Sequence, residues 1–444
     1  MMIKNNLDKL KNNPGVQKYL ANTSWLFLEK IIRMTAGLLI GVMVARYLGP
    51  KQFGFFSYLI SFVGLFTVIA TLGLDSIVVR ELVKKKSQAN MLLGTAFTLK
   101  FFAAIIVITL ILLTANFTGE DSTTTYYILL IASSTLFQST NVVDFYFQSQ
   151  VSSKYIAYVN IISLVISSIV KIILVISEAP LTAFVWMTLF DSISLACAFC
   201  YFYSTKASSL LAWRFKRTIA LRLLKDSWPL ILSGIMISLY MRIDQVMIKN
   251  MLDDEAVGFY SAAIRLSEVW YFIPMLITSS LFPAIVNAKK HSVELYHSRL
   301  QKLYDLTFWG GVLIALPISL MSEWIVLLVF GDAYHEAASV LVLHVWAGIF
   351  VGMGVVKGKW QVAENLPMHG FYGAILSLVV NLILNYLLIP QYGIKGAAFA
   401  TLVSQLCAGY LINYFFKELH PQLRLIHNSL NFKRLFNVSN SRNK

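Results

Sequence analysis

Arg33, Arg242 and Arg265, together with Lys30 and Lys100, stand inside long apolar runs of this sequence, and so do the carboxylates Glu29, Asp191, Asp244 and Glu268. An ionised side chain near the middle of a membrane helix costs roughly 2.5–3.5 kcal/mol on insertion scales, so each one needs a partner or a purpose. Glu29 and Arg33 are spaced i, i+4 and can pair on one helix face, while Lys30 gives that face surplus positive charge. Arg33 comes about eleven residues into its run, roughly 16 Å deep at the helical rise per residue. Lys100 reaches a similar depth. Asp244 and Arg265, on consecutive runs, fall within about one turn of the same depth, which predicts an interhelical ion pair. Lys171, Asp144 and Glu323 lie nearer the ends of their runs and are expected to snorkel to the interface. The set as a whole has two readings. Either the charges pair off and hold helices together, or they line a hydrated cationic cavity. Complete pairing would still leave one cation over. Arginine forks in such a cavity suit a phosphate or diphosphate, which two guanidinium groups hold bidentately. Glu29, Asp191, Asp244 and Glu268 are candidate proton or sodium sites, and the sequence does not choose between these roles.

The runs themselves must position these groups. Of 444 residues, 57% are hydrophobic and only 13% charged, against about 25% charged in a soluble protein, and the mean hydropathy is +0.67. That is more apolar surface than a soluble core buries. Segments near 22–48, 53–74, 91–114, 125–147, 155–177, 181–203, 228–250, 257–286, 303–330, 337–356, 368–389 and 396–416 each reach the ~20 residues a membrane helix needs. The expected fold is an all-α integral membrane protein of twelve transmembrane helices. A formal net charge of +15 would suggest nucleic acid on a soluble chain, but here the basic residues sit in short connections, so the positive-inside rule accounts for them. Lys and Arg collect in alternate connections, at 1–21, 80–86, 154, 206–225, 289–302, 357–359 and 417–444. The opposite side has only Lys51 and Lys395, with Arg46 and Lys249 at helix ends, and it gathers Glu120, Asp121, Glu178, Asp253, Asp254, Glu255, Asp332 and Glu336. Both termini are therefore expected in the cytoplasm.

The chain also repeats itself. "LGPKQFGFFS" (Leu48 to Ser57) returns as "LDDEAVGFYS" (Leu252 to Ser261), with Leu, Gly, Phe and Ser at matching positions. "FQ" at Phe147 and Gln148 is echoed by "WQ" at Trp360 and Gln361, and "LVI" ending at Ile176 by "LLI" ending at Ile389. Read as a duplication, this gives a cytoplasmic segment at 1–21, a six-helix lobe at 22–204, a basic linker with an amphipathic segment at 205–227, a second six-helix lobe at 228–416 and a basic tail at 417–444. Two like-oriented halves predict a central cleft and alternating access.

Other features are more ordinary. The CxxC of Cys197 and Cys200 lies in an apolar run with no second pair, so packing is expected and not a metal or redox centre. His344 is a lone intramembrane histidine, expected to pack. Pro274, Pro283 and Pro317 interrupt the helical hydrogen-bond ladder and are candidate bending points. Gly348, Gly352, Gly354 and Gly358 predict close helix packing. Trp25, Trp270 and Trp360 read as interface anchors. There is no P-loop, no GxSxG and no histidine pair at metal spacing, and no cleavage-type junction follows the first apolar run. No cofactor is expected, and any transport would be driven by a proton or sodium gradient or by the substrate's own gradient.

"VARYLGPKQFGFFSYLISF" (Val44 to Phe62), "GLDSIVVREL" (Gly73 to Leu82) and "DQVMIKNMLDDEAVGFYSAAIRLSE" (Asp244 to Glu268) resemble the Wzx-type polysaccharide flippases of the multidrug/oligosaccharidyl-lipid/polysaccharide exporter superfamily. The resemblance implies a MATE-like pair of six-helix lobes in a bacterial inner membrane. It implies translocation of undecaprenyl-diphosphate-linked oligosaccharide for O-antigen or capsular polysaccharide, alongside a polysaccharide polymerase and chain-length regulator. The cationic lumen of that family matches Arg33, Arg242 and Arg265 in kind. A multidrug exporter of the same fold would want an acidic or apolar cavity for cations. A membrane enzyme acting on lipid-linked sugars would want a large outer loop, and every outer connection here is short.

Overall fold

The computed structural model describes residues 14–431, and among them every regular element is helical. The first helix, α1 (Pro14–Thr71), runs 58 residues through a single break at Gly49, whose φ of 70° and ψ of 169° suit glycine alone, with Pro50 after it. The connection expected at 49–52, between the segments 22–48 and 53–74, is thus a one-residue kink, and the chain is helical again from Pro50. There follow α2 (Asp75–Lys84), α3 (Ala89–Phe117), α4 (Ser122–Gln138), α5 (Val142–Ser149), α6 (Lys154–Ile176), α7 (Leu181–Lys206), α8 (Arg217–Met251), α9 (Asp254–Glu268) and α10 (Phe272–Ala288). The remainder is α11 (Val293–Leu320), α12 (Ser322–Phe330), α13 (Ala337–Ala363), α14 (Met368–Leu406), a π-turn at Cys407–Leu411, α15 (Ile412–Phe415) and α16 (His420–Leu430). Gly393, at φ 59°, kinks α14 as Gly49 kinks α1.

Ten helical stretches among the described residues are long and apolar enough to cross a membrane. The sequence predicts twelve. The difference lies in the two longest stretches, Phe27–Lys84 and Met368–Phe415, each of which takes in two of the expected segments without an intervening loop. The segment expected at 303–330 is also redrawn: α11 begins at Val293, capped by Ser292 Oγ accepting from Leu295 N at 3.1 Å, and ends at Leu320. Lipid-facing stripes are plain on α6, where Ile162, Ile166, Ile169, Ile173 and Ile176 are exposed at helical spacing. Pro274 follows a 3₁₀ turn (Val269–Tyr271) that separates α9 from α10, and Pro317 sits in the last turn of α11.

The chain divides into two compact units. One contains Leu59–Ser238 and the chain up to Tyr47; the other contains Leu48–Tyr58 and the chain from Leu239. The boundary falls within α8. In the first unit Leu74, Val78, Leu92, Leu93, Val142, Phe147, Tyr203 and Leu223 form a buried apolar cluster. The basic stretch after α7 packs onto it. Arg214 N donates to Asn90 O at 3.3 Å, Lys216 N to Thr95 Oγ1 at 3.0 Å, and the Trp213 ring stands 5.4 Å from that of Tyr203. From Arg217 that stretch is already α8.

In the second unit the two copies of the sequence repeat pack on each other. A Cβ on Gly54 would stand 1.7 Å from Asp254 O, and one on Gly258 would stand 2.1 Å from Pro50 O. These two glycines let backbone touch backbone.

Candidate functional site

Asp244, near the C-terminal end of α8, is buried at 3% exposure. Its carboxylate is met from three directions. Tyr260 Oη of α9 donates to Oδ2 at 2.6 Å and Asn385 Nδ2 of α14 donates to Oδ1 at 2.6 Å. Thr401, beyond the Gly393 kink, donates its hydroxyl to Oδ2. Asn381 accepts from Asn385 Nδ2 at 3.0 Å, both residues are fully buried, and among the described residues Asn385 Oδ1 makes no hydrogen bond. Among the described residues no Lys or Arg makes an ion pair with Asp244. A buried carboxylate surrounded by neutral oxygen-bearing groups keeps its charge uncompensated, a setting that attracts a proton or a hard monovalent cation.

The expected Asp244–Arg265 pair is not made. Arg265 lays its guanidinium over the Phe53 ring at 4.8 Å. Matching depth on two helices says nothing of rotation about their axes, and Asp244 faces α14 while Arg265 faces the Leu48–Tyr58 segment. Arg242 is half-buried two residues before Asp244. Neither Arg242 nor Arg265 makes an ion pair among the described residues. Glu268 is half-buried beside the 3₁₀ turn.

The first unit holds the remaining candidates. Arg33 pairs with Glu29 at 3.2 Å as the i, i+4 spacing predicts, with Glu29 buried and Arg33 largely exposed. Lys30 is exposed. Lys100 is buried at 5%, its ammonium 3.6 Å from Asp75 and 4.9 Å from the centre of the Phe145 ring. Asp191 is bound by Lys171 at 2.7 Å, and Lys171 also donates to Ser167 at 2.8 Å. The expectation that Lys171 snorkels is corrected by that pair: α6 and α7 are packed neighbours, so a carboxylate is nearer than the interface.

A polysaccharide biosynthesis family model matches residues 19–289, more than half of the chain. The chain belongs to the polysaccharide biosynthesis protein family. The MatE model also matches, over residues 229–387. A probable low-salt glycan biosynthesis flippase of Haloferax volcanii is 28% identical over 169 residues, 37% of this chain and 35% of that one. The capsular polysaccharide biosynthesis protein CapF of Staphylococcus aureus is 22% identical over 192 residues, 43% of this chain and 48% of that one. The chain thus spans half or less of the curated relatives it matches. An inward-facing multidrug resistance MATE family transporter superposes with a TM-score of 0.69 at 13% identity, covering 91% of this chain and 98% of that one. The lipid II flippase MurJ, inward closed, gives 0.69 at 15% identity, covering 93% and 91%. These likenesses establish a MATE-like fold and a multi-pass membrane protein, and they bear out the resemblance carried by Val44 to Phe62, Gly73 to Leu82 and Asp244 to Glu268.

Several functional groups of this polysaccharide biosynthesis protein escape sequence reasoning. Tyr260 and Thr401 look like ordinary intramembrane residues until the fold brings them to Asp244. Asn381 and Asn385 carry the one legible signal, two amides at i, i+4 in an otherwise apolar run. Asp144 lies at a helix end as expected, in the first turn of α5, but in place of snorkelling it lines a cavity beside Asp75 and Lys100. Lys357, expected in a basic connection, is buried at 4% inside α13, and its ammonium donates to Ala408 O in the π-turn.

Proposed function

We propose that the chain is a flippase, not an enzyme. It carries an undecaprenyl-diphosphate-linked oligosaccharide by alternating access from the cytoplasmic to the outer leaflet of a bacterial inner membrane, in O-antigen or capsule assembly. The observation that carries the reading is the pair of arginines, Arg242 and Arg265, which stand on membrane helices of the second unit and make no ion pair within 4 Å among the described residues, Glu268 being the carboxylate whose charge Arg242 feels. Cations retained there at such cost call for an anionic ligand, and a diphosphate accepts two guanidinium forks. Family membership and relatives named as glycan flippases support the same substrate class. Counting the two longest helical stretches as two spans each, divided at Gly49 and Gly393, supports a twelve-span reading, and the basic connections favour both ends on the cytoplasmic side. The Asp244 cluster is the coupling site in this reading, taking a proton or sodium ion, since the groups that hydrogen-bond its carboxylate, the Tyr260 and Thr401 hydroxyls and the Asn385 amide, are all neutral. A polymerase and a chain-length regulator would act next on the exported unit.

The test is transport in proteoliposomes with lipid-linked saccharide extracted from the host membrane. Replacing Arg242 and Arg265 by Gln is expected to slow transfer about tenfold or more, in keeping with loss of one or two charge-assisted hydrogen bonds, while the melting temperature in detergent holds. Undiminished transfer sinks the reading. So does export of an organic cation with no movement of the glycan lipid, which would make the chain a multidrug exporter. Chemical change of the lipid-linked sugar would make it an enzyme.

A further inference from the structure

Within the first unit, Lys100 does not stand in a cationic environment. It lines a cavity of about 120 Å³ with Asp75, Gln138, Asn141 and Asp144. Counting formal charges, two carboxylates face one ammonium, so the cavity is net negative by one. A diphosphate would be repelled there. A bare metal ion would meet the ammonium, which lies 3.6 Å from Asp75 and 4.9 Å from the Phe145 ring centre and shares the cavity wall with Asp144.

The remaining polar groups define what fits. Gln138 and Asn141 lie one turn apart, and no described group bonds either amide. Gln138 precedes and Asn141 ends the 3₁₀ turn Ser139–Asn141, which interrupts the membrane-crossing stretch Ser122–Ser149 where it borders the cavity. Unbonded amides and irregular backbone at membrane depth persist only where they face water or a polar ligand. Ser139 and Thr135 donate their hydroxyls to Leu136 O at 2.6 Å and Ala132 O at 2.7 Å, so toward the cavity they can only accept. Asp144 takes one bond from Gln148 at 3.0 Å and keeps the rest of its acceptor capacity. Asp75 is 65% exposed, which leaves the cavity open on its side.

The wall therefore offers carboxylate and hydroxyl acceptors beside ammonium and amide donors, with no positive excess. From this we infer a saccharide subsite: the cavity takes the hydroxyl-bearing edge of one sugar ring of the transported glycan, separately from the diphosphate. A hydroxyl donates to a carboxylate while accepting from an amide or ammonium, so vicinal hydroxyls use both kinds of wall group at once. The volume equals that of about four liquid waters, which admits one edge of one ring and not an oligosaccharide. The inference rests on the proposed flippase function for its substrate, but it is tested by binding and not by transport.

The purified full-length chain is titrated with three probes: lipid-linked saccharide from the host membrane, undecaprenyl diphosphate without sugar, and the free glycan released by mild acid. The wild-type protein is expected to bind the saccharide lipid about tenfold tighter than the bare diphosphate lipid, the worth of one or two neutral hydrogen bonds. The free glycan is expected to compete at higher concentration. Asn141→Leu and Gln138→Leu are each expected to bring the saccharide lipid down to the affinity of the bare lipid while leaving the bare lipid unchanged within twofold. The unchanged bare-lipid affinity shows that the variants are folded. Equal wild-type affinities for the two lipids would overturn the subsite, as would variants that keep the tenfold difference. If the subsite holds but proteoliposomes move no glycan lipid, the flippase reading alone fails. If both variants lose the bare lipid as well, Asn141→Ala replaces them, and discrimination surviving that change overturns the inference.

Discussion

At the scale of single residues, the arrangement around Asp244 makes a sharp energetic statement. Its oxygens are satisfied by Tyr260, Asn385 and Thr401, all neutral. Removing one donor from a buried carboxylate leaves an orphaned acceptor, which costs about 1–3 kcal/mol. Thr401→Val should therefore lower the melting temperature clearly in the wild-type background. In an Asp244→Asn background the charge is gone, and the same change should cost at least about 1 kcal/mol less, because residues in one hydrogen-bonded network couple. Strictly additive effects would show that the two side chains do not touch. Of this cluster Asp244 is legible in the sequence as a charge in an apolar run, and Asn381 and Asn385 as two amides at i, i+4. A threonine or tyrosine in a membrane helix is ordinary, and only the fold gives it a partner.

Among the elements, small residues decide where helices approach. Gly54 and Gly258 hold the segment after the Gly49 kink against the start of α9 with no room for a methyl group. Gly258→Ala must move backbone, since the nearest atom is Pro50 O, and overpacking of this kind costs roughly 1–3 kcal/mol. Gly373→Ala is the control. Its added carbon would meet Ala408 O at 3.6 Å and Lys357 Nζ at 3.8 Å, ordinary contacts, so stability should stay within about 0.5 kcal/mol of wild type. Denaturation in detergent compares the two, and equal losses would refute the close approach. The repeat that contains Gly54 and Gly258 is legible from the sequence alone. That its copies pack on each other is not, because similarity between two segments carries no information about contact.

For the molecule as a whole, pH acts outside the membrane spans through Glu364, between α13 and α14. Lys289 donates to both of its oxygens at 2.7 Å and Tyr296 Oη donates at 2.8 Å. Partial burial pushes this carboxyl upward, but the hydrogen bonds from Lys289 and Tyr296 and the charge of Lys289 outweigh it and hold the group below the usual range. A folded-state value below the unfolded one, about 4.3, stabilises the native state fully above that pH and loses the contribution as pH falls through the folded value. The melting temperatures of wild type and Glu364→Gln should differ most near neutrality and converge below about pH 4. A gap that widens on acidification would reverse the sign. The connections that Lys289 and Glu364 occupy are also those whose basic bias sets the expected orientation.

The sequence by itself determined the class of molecule: apolar runs of helical length admit only a helical membrane protein, since every backbone group must be satisfied within its own segment. It also determined the family, through motifs that travel with the chain, and it marked the costly charges. Beyond the i, i+4 pair of Glu29 and Arg33, only the tertiary structure decided which of those charges meet. It paired Lys171 with Asp191, separated Asp244 from Arg265, buried Lys357, and turned Lys100 from a lone cation into one wall of a net-negative cavity. Depth along a helix can be counted from residue numbers, whereas the direction a side chain faces depends on helix rotation and packing, which no single segment encodes.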